Sequence, residues 1–319
     1  MKPLLSVLMS IYNETESQIR ESVESILEQS FRDFEFIIVC DNPDYLKAVE
    51  IIDSYHDSRI IYEQNEKNIG LALSMNKAAS LATTDIFVRM DADDIAEKDR
   101  LAKLVDCFNG KHIDFAFSRY CYIDEESKLI NNNDNLEYFE QSGLSNIIAL
   151  SPSIIHHPTV IFTREIFEKV GGYRDFPCSQ DADLWLRMQE AGCRFFMLPD
   201  KLLRYRLSSN SVSSKKWFQQ QLTIHYIMQL SYERLTKGKD SYSKENYNRY
   251  LHNKGVNDET KAKALLKSEK ILSKALHERR NGHVVKSITL RIYVFLTSKT
   301  LRDYYICVMK KKRIMKHIM

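Results

Sequence analysis

Three apolar runs near the N-terminus each stop at a polar or acidic group, and helical patterns separate them. Leu4 to Ile11 is a short, mostly apolar run, with Ser6 and Ser10 inside it, of the kind that forms a buried strand, and Tyr12-Asn13 follow it. Asn13 or Thr15 can cap the next segment, where Ile19, Val23, Ile26 and Leu27 fall at helical spacing. Phe34 to Cys40 reads as a second strand, stopped by the turn chemistry of Asp41-Asn42-Pro43. A helix over Tyr45 to Tyr55, a strand at Arg59 to Tyr62, a helix over Leu71 to Leu81 and a strand at Ile86 to Met90 continue the series. This alternation predicts an α/β fold with a Rossmann-like, mostly parallel central sheet flanked by helices. Ligands of such sheets bind beyond the carboxyl ends of the strands. The polar groups at those ends are therefore the first candidates for function.

Composition narrows the class. Of 319 residues, 44% are apolar and 28% charged, the balance of a globular chain rather than a disordered one. No apolar run approaches the roughly 18 residues of a membrane span. The N-terminus does not read as a signal peptide, so a cytoplasmic protein is expected, peripheral at most on the inner face of the membrane. The cysteines Cys40, Cys107, Cys121, Cys178, Cys193 and Cys307 form no C-x-x-C, which argues against a zinc site or a disulfide framework.

Charge divides the chain. Residues 215–319 hold 24 Lys/Arg and 8 Asp/Glu, a net of +16, and residues 1–214 hold 22 against 35, a net of −13. The break follows the polar stretch Ser208 to Ser214, and beyond it the pattern is helical. Two parts are expected. Residues 1–214 form the α/β domain and 215–319 form a basic helical extension.

Asp91-Ala92-Asp93-Asp94 sits on the end of an apolar strand. On an extended backbone Asp91 and Asp93 point the same way and can face one ligand. Carboxylates suit a hard divalent cation, Mn²⁺ or Mg²⁺, that bridges to phosphate and neutralises a departing diphosphate. The plainer alternative is an acidic turn capping a helix that starts at Glu97 or Lys98.

Ser6-Val7-Leu8-Met9-Ser10-Ile11-Tyr12-Asn13-Glu14, Ile37 to Asp41, Asn68-Ile69-Gly70-Leu71-Ala72 through Asn76, and Arg89 to Asp94 resemble the ordered signature of family 2 glycosyltransferases. So do Gly171-Gly172-Tyr173 and Gln180-Asp181-Ala182-Asp183-Leu184-Trp185-Leu186-Arg187. The likeness runs from about residue 4 to about 214 and implies that residues 1–214 are the catalytic domain, with nucleotide-sugar binding in about 1–95 and the acceptor part in about 96–214. It implies a GT-A fold, a nucleotide-diphosphate sugar donor, a divalent metal and inversion at the anomeric carbon. It places Tyr12 and Asp41 on the base, and extends donor binding to Asn13, Glu14, Asn68, Gly70, Asn76, Arg89, Asp91 and Ala92. Asp93 would be the principal metal ligand, with Asp91 beside it, and Asp181 the general base. An inverting displacement needs a carboxylate that takes the acceptor proton, separate from the groups that steady the diphosphate. For Asp181 and Asp183 the competing reading is an acidic first turn of a helix.

Five positions depart from the family pattern. Cys40 replaces a common acidic residue and Asn42-Pro43 the usual Gly-Ser, so the base-binding turn is unusual. Gln180 replaces a glutamate, which removes one like charge beside Asp181 and should raise its pKa less. Ser208 stands where a histidine is common, which leaves metal binding to Asp93 and water. Arg204 and Arg206 offer a diphosphate clamp, with surface charge as the alternative. His156 and His157, as strand neighbours, would face opposite sides and not share an ion. Trp185 lines either the acceptor site or the core.

In the extension, Val284, Ile288, Ile292 and Phe295 recur at helical spacing among Lys286, Arg291 and Lys299, and Lys310-Lys311-Lys312-Arg313 and Lys316 follow. This suits an anionic membrane surface; the alternative is packing on the catalytic body or a second copy, as a homo-oligomer. No motif supports nucleic-acid binding. The expected activity is metal-dependent inverting transfer of a sugar, from a UDP-sugar first among donors, to a hydroxyl of a glycan or lipid-linked oligosaccharide in polysaccharide synthesis. The rivals are a non-catalytic sugar-nucleotide-binding scaffold and a nucleotidyltransferase. The latter would need a basic residue near the first strand, and Tyr12-Asn13-Glu14 offers none.

Overall fold

The structure is a computed structural model that describes residues 3–108, 112–130, 139, 141–207 and 216–318. The chain divides into two compact units, Met1–Ser211 and Val212–Met319. The polar run Asn131 to Asn135 and the serine-rich stretch from Ser208 lie outside the described residues.

The first unit is built on an eight-stranded sheet in the order β3-β2-β1-β4-β7-β6-β8-β5. Its strands are β1 (Leu5–Ile11), β2 (Phe34–Cys40), β3 (Ile60–Gln64), β4 (Ile86–Asp91), β5 (Ile95–Ala96), β6 (Phe115–Ile123), β7 (Val160–Thr163) and β8 (Phe195–Arg206). β1 pairs in parallel with β2 and β4, and β2 with β3, as the alternation predicts. The other half is mixed: β7 runs antiparallel to β4 and β6, β6 is parallel to β8, and β5 is antiparallel to β8.

Every residue of β1 and β2 is buried. Both faces are covered, which is why these strands read as mostly apolar runs, broken only by Ser6, Ser10 and Glu35, rather than as alternation. Val7, Met9, Phe36 and Ile38 enter one core with α1 (Glu16–Leu27), α2 (Leu46–Asp53) and α4 (Arg100–Phe108), while Leu8, Ile37 and Val39 enter the other with α3 (Leu71–Leu81), α5 (Gln141–Leu150) and α7 (Gln180–Glu190). Neighbouring residues thus go to opposite faces with the period of a strand. Thr15, not Asn13, caps α1, and Gln18 closes the capping box. Trp185 is fully buried, its ring 4.7 Å from that of Phe115, so it belongs to the core. Among the described residues no disulfide joins the cysteines.

The second unit is helical: Trp217–Lys237, Lys244–Lys254, Glu259–Arg280, Val284–Thr297 and Lys299–Ile318. Leu265, Val294 and Leu301 form a small core backed by Trp217, Phe218, Ile271 and Leu272. Among the described residues no helix is long and apolar enough to cross a membrane.

Candidate active site

β4 runs to Asp91, and the chain then turns at Ala92-Asp93 instead of staying extended. The short strand β5 follows and α4 begins only at Arg100, so the acidic residues do not cap a helix. The turn converges three carboxylates: oxygen atoms of Asp91, Asp93 and Asp94 lie within 4.8 Å of one another. Glu14, reached from the end of β1, adds its charge to the group. Burial, then the charges of Asp91 and Glu14, push the Asp93 carboxyl up to about 7. Burial and the neighbouring Asp93 raise Asp94 well above the usual carboxylate range. Asp94 Oδ2 is buried with no hydrogen-bond partner among the described residues. Crowded, desolvated oxygen donors with one unmet acceptor fit a hard divalent cation. Asp93 and Asp94, with Asp91 beside them, are the residues that would hold it.

Arg89 and Asp91 lie two residues apart on β4, and a guanidinium nitrogen of Arg89 donates to Asp91 Oδ1. Arg89 is 1% exposed. It supports the site from below rather than lining it. Beneath the turn, the fully buried Arg100 donates to the carbonyls of Arg89 and Pro158 at 2.7 and 2.6 Å.

Arg206 does not form the expected clamp. Its backbone N–H donates to Asp94 Oδ1 at 2.8 Å. Its guanidinium donates to the carbonyls of Asp93, Asp124 and Glu125, to Ser127 and to Glu21. With every guanidinium nitrogen engaged, it braces the carboxylate turn. Arg204 is paired with Glu97 at 2.7 Å.

Two further donor-binding candidates are inward braces. Asp41, 3% exposed, accepts the backbone N–H groups of Ile69 and Gly70 at 2.9 and 2.8 Å and the amide of Asn65 at 2.8 Å. It fixes the loop before α3, whose entry at Gly70 needs φ of +87°. Asn76 spends both ends of its amide on the backbone of Tyr173, accepting at 2.9 Å and donating at 2.9 Å. Ala92 is buried. Tyr12, Asn13 and Asn68 are exposed, and Glu14 is half-buried with its carboxylate accepting from Tyr12 N–H at 2.7 Å.

Asp181 and Asp183 separate cleanly. Asp183 is fully buried and bound to Arg187 at 2.8 Å. Asp181, in the first turn of α7, is half-buried and accepts the backbone N–H of Ala182 at 2.9 Å. Burial raises its carboxyl to about 6; the Asp91 charge raises it further and Arg89 opposes. No acidic neighbour at position 180 contributes, in line with the glutamine there.

His156 and His157 stand not on a strand but at the start of a short 3₁₀ turn, His157–Thr159. His157 is buried against the Tyr173 hydroxyl at 2.7 Å, and His156 Nε2 meets the Tyr120 hydroxyl at 2.8 Å. Burial holds both below the usual histidine range, His156 at about 4, so both are neutral at pH 7. Tyr120, Tyr122, Tyr205 and His156 form an aromatic group with ring centroids 4.4–6.0 Å apart. Asp91, Asp94 and Asp93 all act on the Tyr205 hydroxyl, which puts this group beside the carboxylates. Sequence reasoning missed it, along with the roles of Asp94 and Arg100. The alternation of Tyr120 and Tyr122 along β6 is the signal that points to it.

An uncharacterized glycosyltransferase of Methanocaldococcus jannaschii is 35% identical over 71% of this chain and 79% of its own length. The amylovoran biosynthesis glycosyltransferase AmsE of Erwinia amylovora is 28% identical over 67% of this chain and 80% of its own. Among solved structures, S. aureus TarS 1-349 in complex with UDP-GlcNAc aligns with a TM-score of 0.56 at 18% identity, covering 78% of this chain and 70% of that one. The mannosyltransferase PcManGT of Pyrobaculum calidifontis, in complex with GDP-Man and Mn²⁺, aligns with a TM-score of 0.54 at 17% identity, covering 97% and 88%. These likenesses share the GT-A fold. Residues 6–171 match the model of Glycosyl transferase family 2, and the chain belongs to that family of glycosyltransferases.

Proposed function

We propose that the protein transfers a sugar, with inversion, from a nucleotide-diphosphate sugar to a hydroxyl of a glycan or lipid-linked oligosaccharide, with a divalent metal at the donor. The observation that carries this is a division of labour between two acidic centres on one rim. Asp91, Asp93 and Asp94 form a crowded group suited to a cation, while Asp181 stands on another element, without a cationic partner among the described residues and poised near neutrality. A general base works best with a pKa near the operating pH. Asp181 is therefore assigned to the acceptor proton and Asp93 and Asp94 to the metal, which when bound would neutralise charge on the diphosphate. Tyr12, Asn13, Asn68 and Glu14 are the groups left open to the donor nucleotide. The neutral rings of Tyr120, Tyr122, Tyr205 and His156 suit the apolar face of a sugar. UDP is the favoured nucleotide, since TarS was solved with UDP-GlcNAc. GDP remains the competitor, because PcManGT holds GDP-Man.

The deciding experiment is a thermal-shift panel of UDP, GDP, CMP, dTDP and their sugars, with and without Mn²⁺. Binding to the native state raises Tm by mass action. A shift for one diphosphate that needs Mn²⁺ and disappears in Asp93→Ala supports the reading. No shift anywhere, in folded protein, removes the donor site.

A further inference from the structure

The helix Val284–Thr297 carries apolar residues outward. Val284, Val285, Ile288, Ile292, Tyr293 and Leu296 are 48–79% exposed, while Ser287 and Val294 are the residues turned inward. Ser287 donates to the Ala275 carbonyl at 2.7 Å, and Val294 enters the small core of the unit. The stripe foreseen in the sequence is thus not consumed by packing: only Phe295 of its four members is half-buried.

Placed at about 100° per residue, the exposed apolar positions fill one continuous side of the helix, and Lys286 and Arg291 fall on its two borders. The helix has no acidic residue. On the next helix, Tyr305 and Met309 are exposed, and Lys310, Lys312 and Arg313 are exposed after them. Residues 284–319 contain nine Lys/Arg and one carboxylate, Asp303, which Lys254 meets at 3.2 Å.

We propose that this face docks in the plane of a bilayer rich in anionic headgroups. The aliphatic side chains would enter the headgroup–acyl boundary and Lys286, Arg291, Lys310, Lys312 and Arg313 would meet lipid phosphates, while Lys311 is buried. Cations bordering an apolar face let the side chains snorkel, their stems on the apolar surface and their charges in the headgroup layer. The charge selects this occupant over a second copy. A two-fold interface sets the same surface against itself, and would oppose two units that each carry +16. An anionic surface is attracted by the same excess. The inference is independent of the donor-site reading, since the docking residues belong to the second unit.

The test is co-sedimentation of the full chain with vesicles of phosphatidylcholine alone and of phosphatidylcholine mixed with phosphatidylglycerol. The expected result is pelleting with the anionic vesicles, at least about tenfold stronger than with neutral ones and weakened by high salt. The double variant Ile288→Ser, Ile292→Ser should abolish it at unchanged Tm and unchanged donor binding, because both side chains are already half in water. Failure to pellet with anionic vesicles overturns the proposal. So does pelleting that survives the double variant, which would make the attraction one of charge alone. A dimer that the double variant splits while vesicle binding persists assigns the face to a second copy.

Discussion

Arg89 and Asp91 leave the same face of β4 and bind each other, so the only charged partner of the Asp91 carboxylate among the described residues is a guanidinium with almost no contact with water. The same cation opposes the rise of the Asp181 carboxyl. One buried arginine therefore acts on both acidic centres. Arg89→Met should cost about 3 kcal/mol, the usual result of leaving one member of a buried pair unmatched, read as a fall in urea midpoint. In the surviving native protein the acid limb of the pH–rate profile should move to higher pH. A limb that stays in place would disconnect Arg89 from Asp181.

Asp181→Asn should lower kcat by about 10² to 10⁴, the usual range for a general base, with Kd for the donor unchanged by calorimetry. Asp183→Asn should do the reverse. It breaks a buried pair with Arg187 and costs about 3 kcal/mol of stability, so a loss of turnover should follow the unfolded fraction. Equal kinetic damage from both at equal stability would leave Asp181 no special place.

With Asp181 at about 6, the rate should fall as pH drops below that value, because the protonated carboxyl cannot accept the acceptor proton. kcat/KM measured with saturating metal locates the limb. A flat profile down to pH 5 speaks against Asp181 as the base.

The donor turn makes a separate pH prediction. Asp93 titrates at about 7 in the folded chain and near the ordinary carboxylate value when unfolded, and Asp94 is raised as well. The folded state therefore binds more protons between those values. The favourable contribution is complete below pH 4 and is lost as pH rises through about 7. Without divalent ions, Tm should decline from pH 5 to pH 8, and added Mn²⁺ should raise it more at pH 8 than at pH 5. An equal Mn²⁺ effect at both values would disconnect the cation from these groups.

Gly172→Ala should destabilise by about 1–3 kcal/mol. Its φ is +66°, and an added Cβ would stand 2.8 Å from Asn76 Oδ1 and 3.1 Å from Phe167 Cζ. The damage falls on the Asn76–Tyr173 clamp, so the variant should also loosen the His157 contact with Tyr173. Chemical denaturation measures the first effect and the histidine NMR signals the second.

The parallel half of the sheet was legible because both its faces are covered, which leaves mostly apolar runs such as Phe34–Cys40, broken only by Glu35, with turn residues at their ends. β5 was not: two residues carry no periodicity, and Ile95 and Ala96 become a strand only because β8 lies alongside. The carboxylates announced themselves, yet the reason given for their convergence was wrong, since a turn and not an extended run brings them together. Side-chain roles were hardest where a motif residue serves the backbone. Asp41, Asn76 and Arg206 each sit where a ligand contact was expected and hold loops instead. Sequence position identifies the neighbourhood of a side chain, but its hydrogen-bond partners come from segments far along the chain.

Arg206 braces Asp94 from 112 positions away. A chain leaving the ribosome shows Asp91, Asp93 and Asp94 to the cell well before β8 exists. In that interval the acidic turn has neither the Arg206 amide nor its guanidinium, and no strand beside β5. A half-made chain thus possesses the motif without its geometry. The bracing of the turn is complete only with the last strand of the unit, so its shape is the last thing that synthesis of the unit supplies.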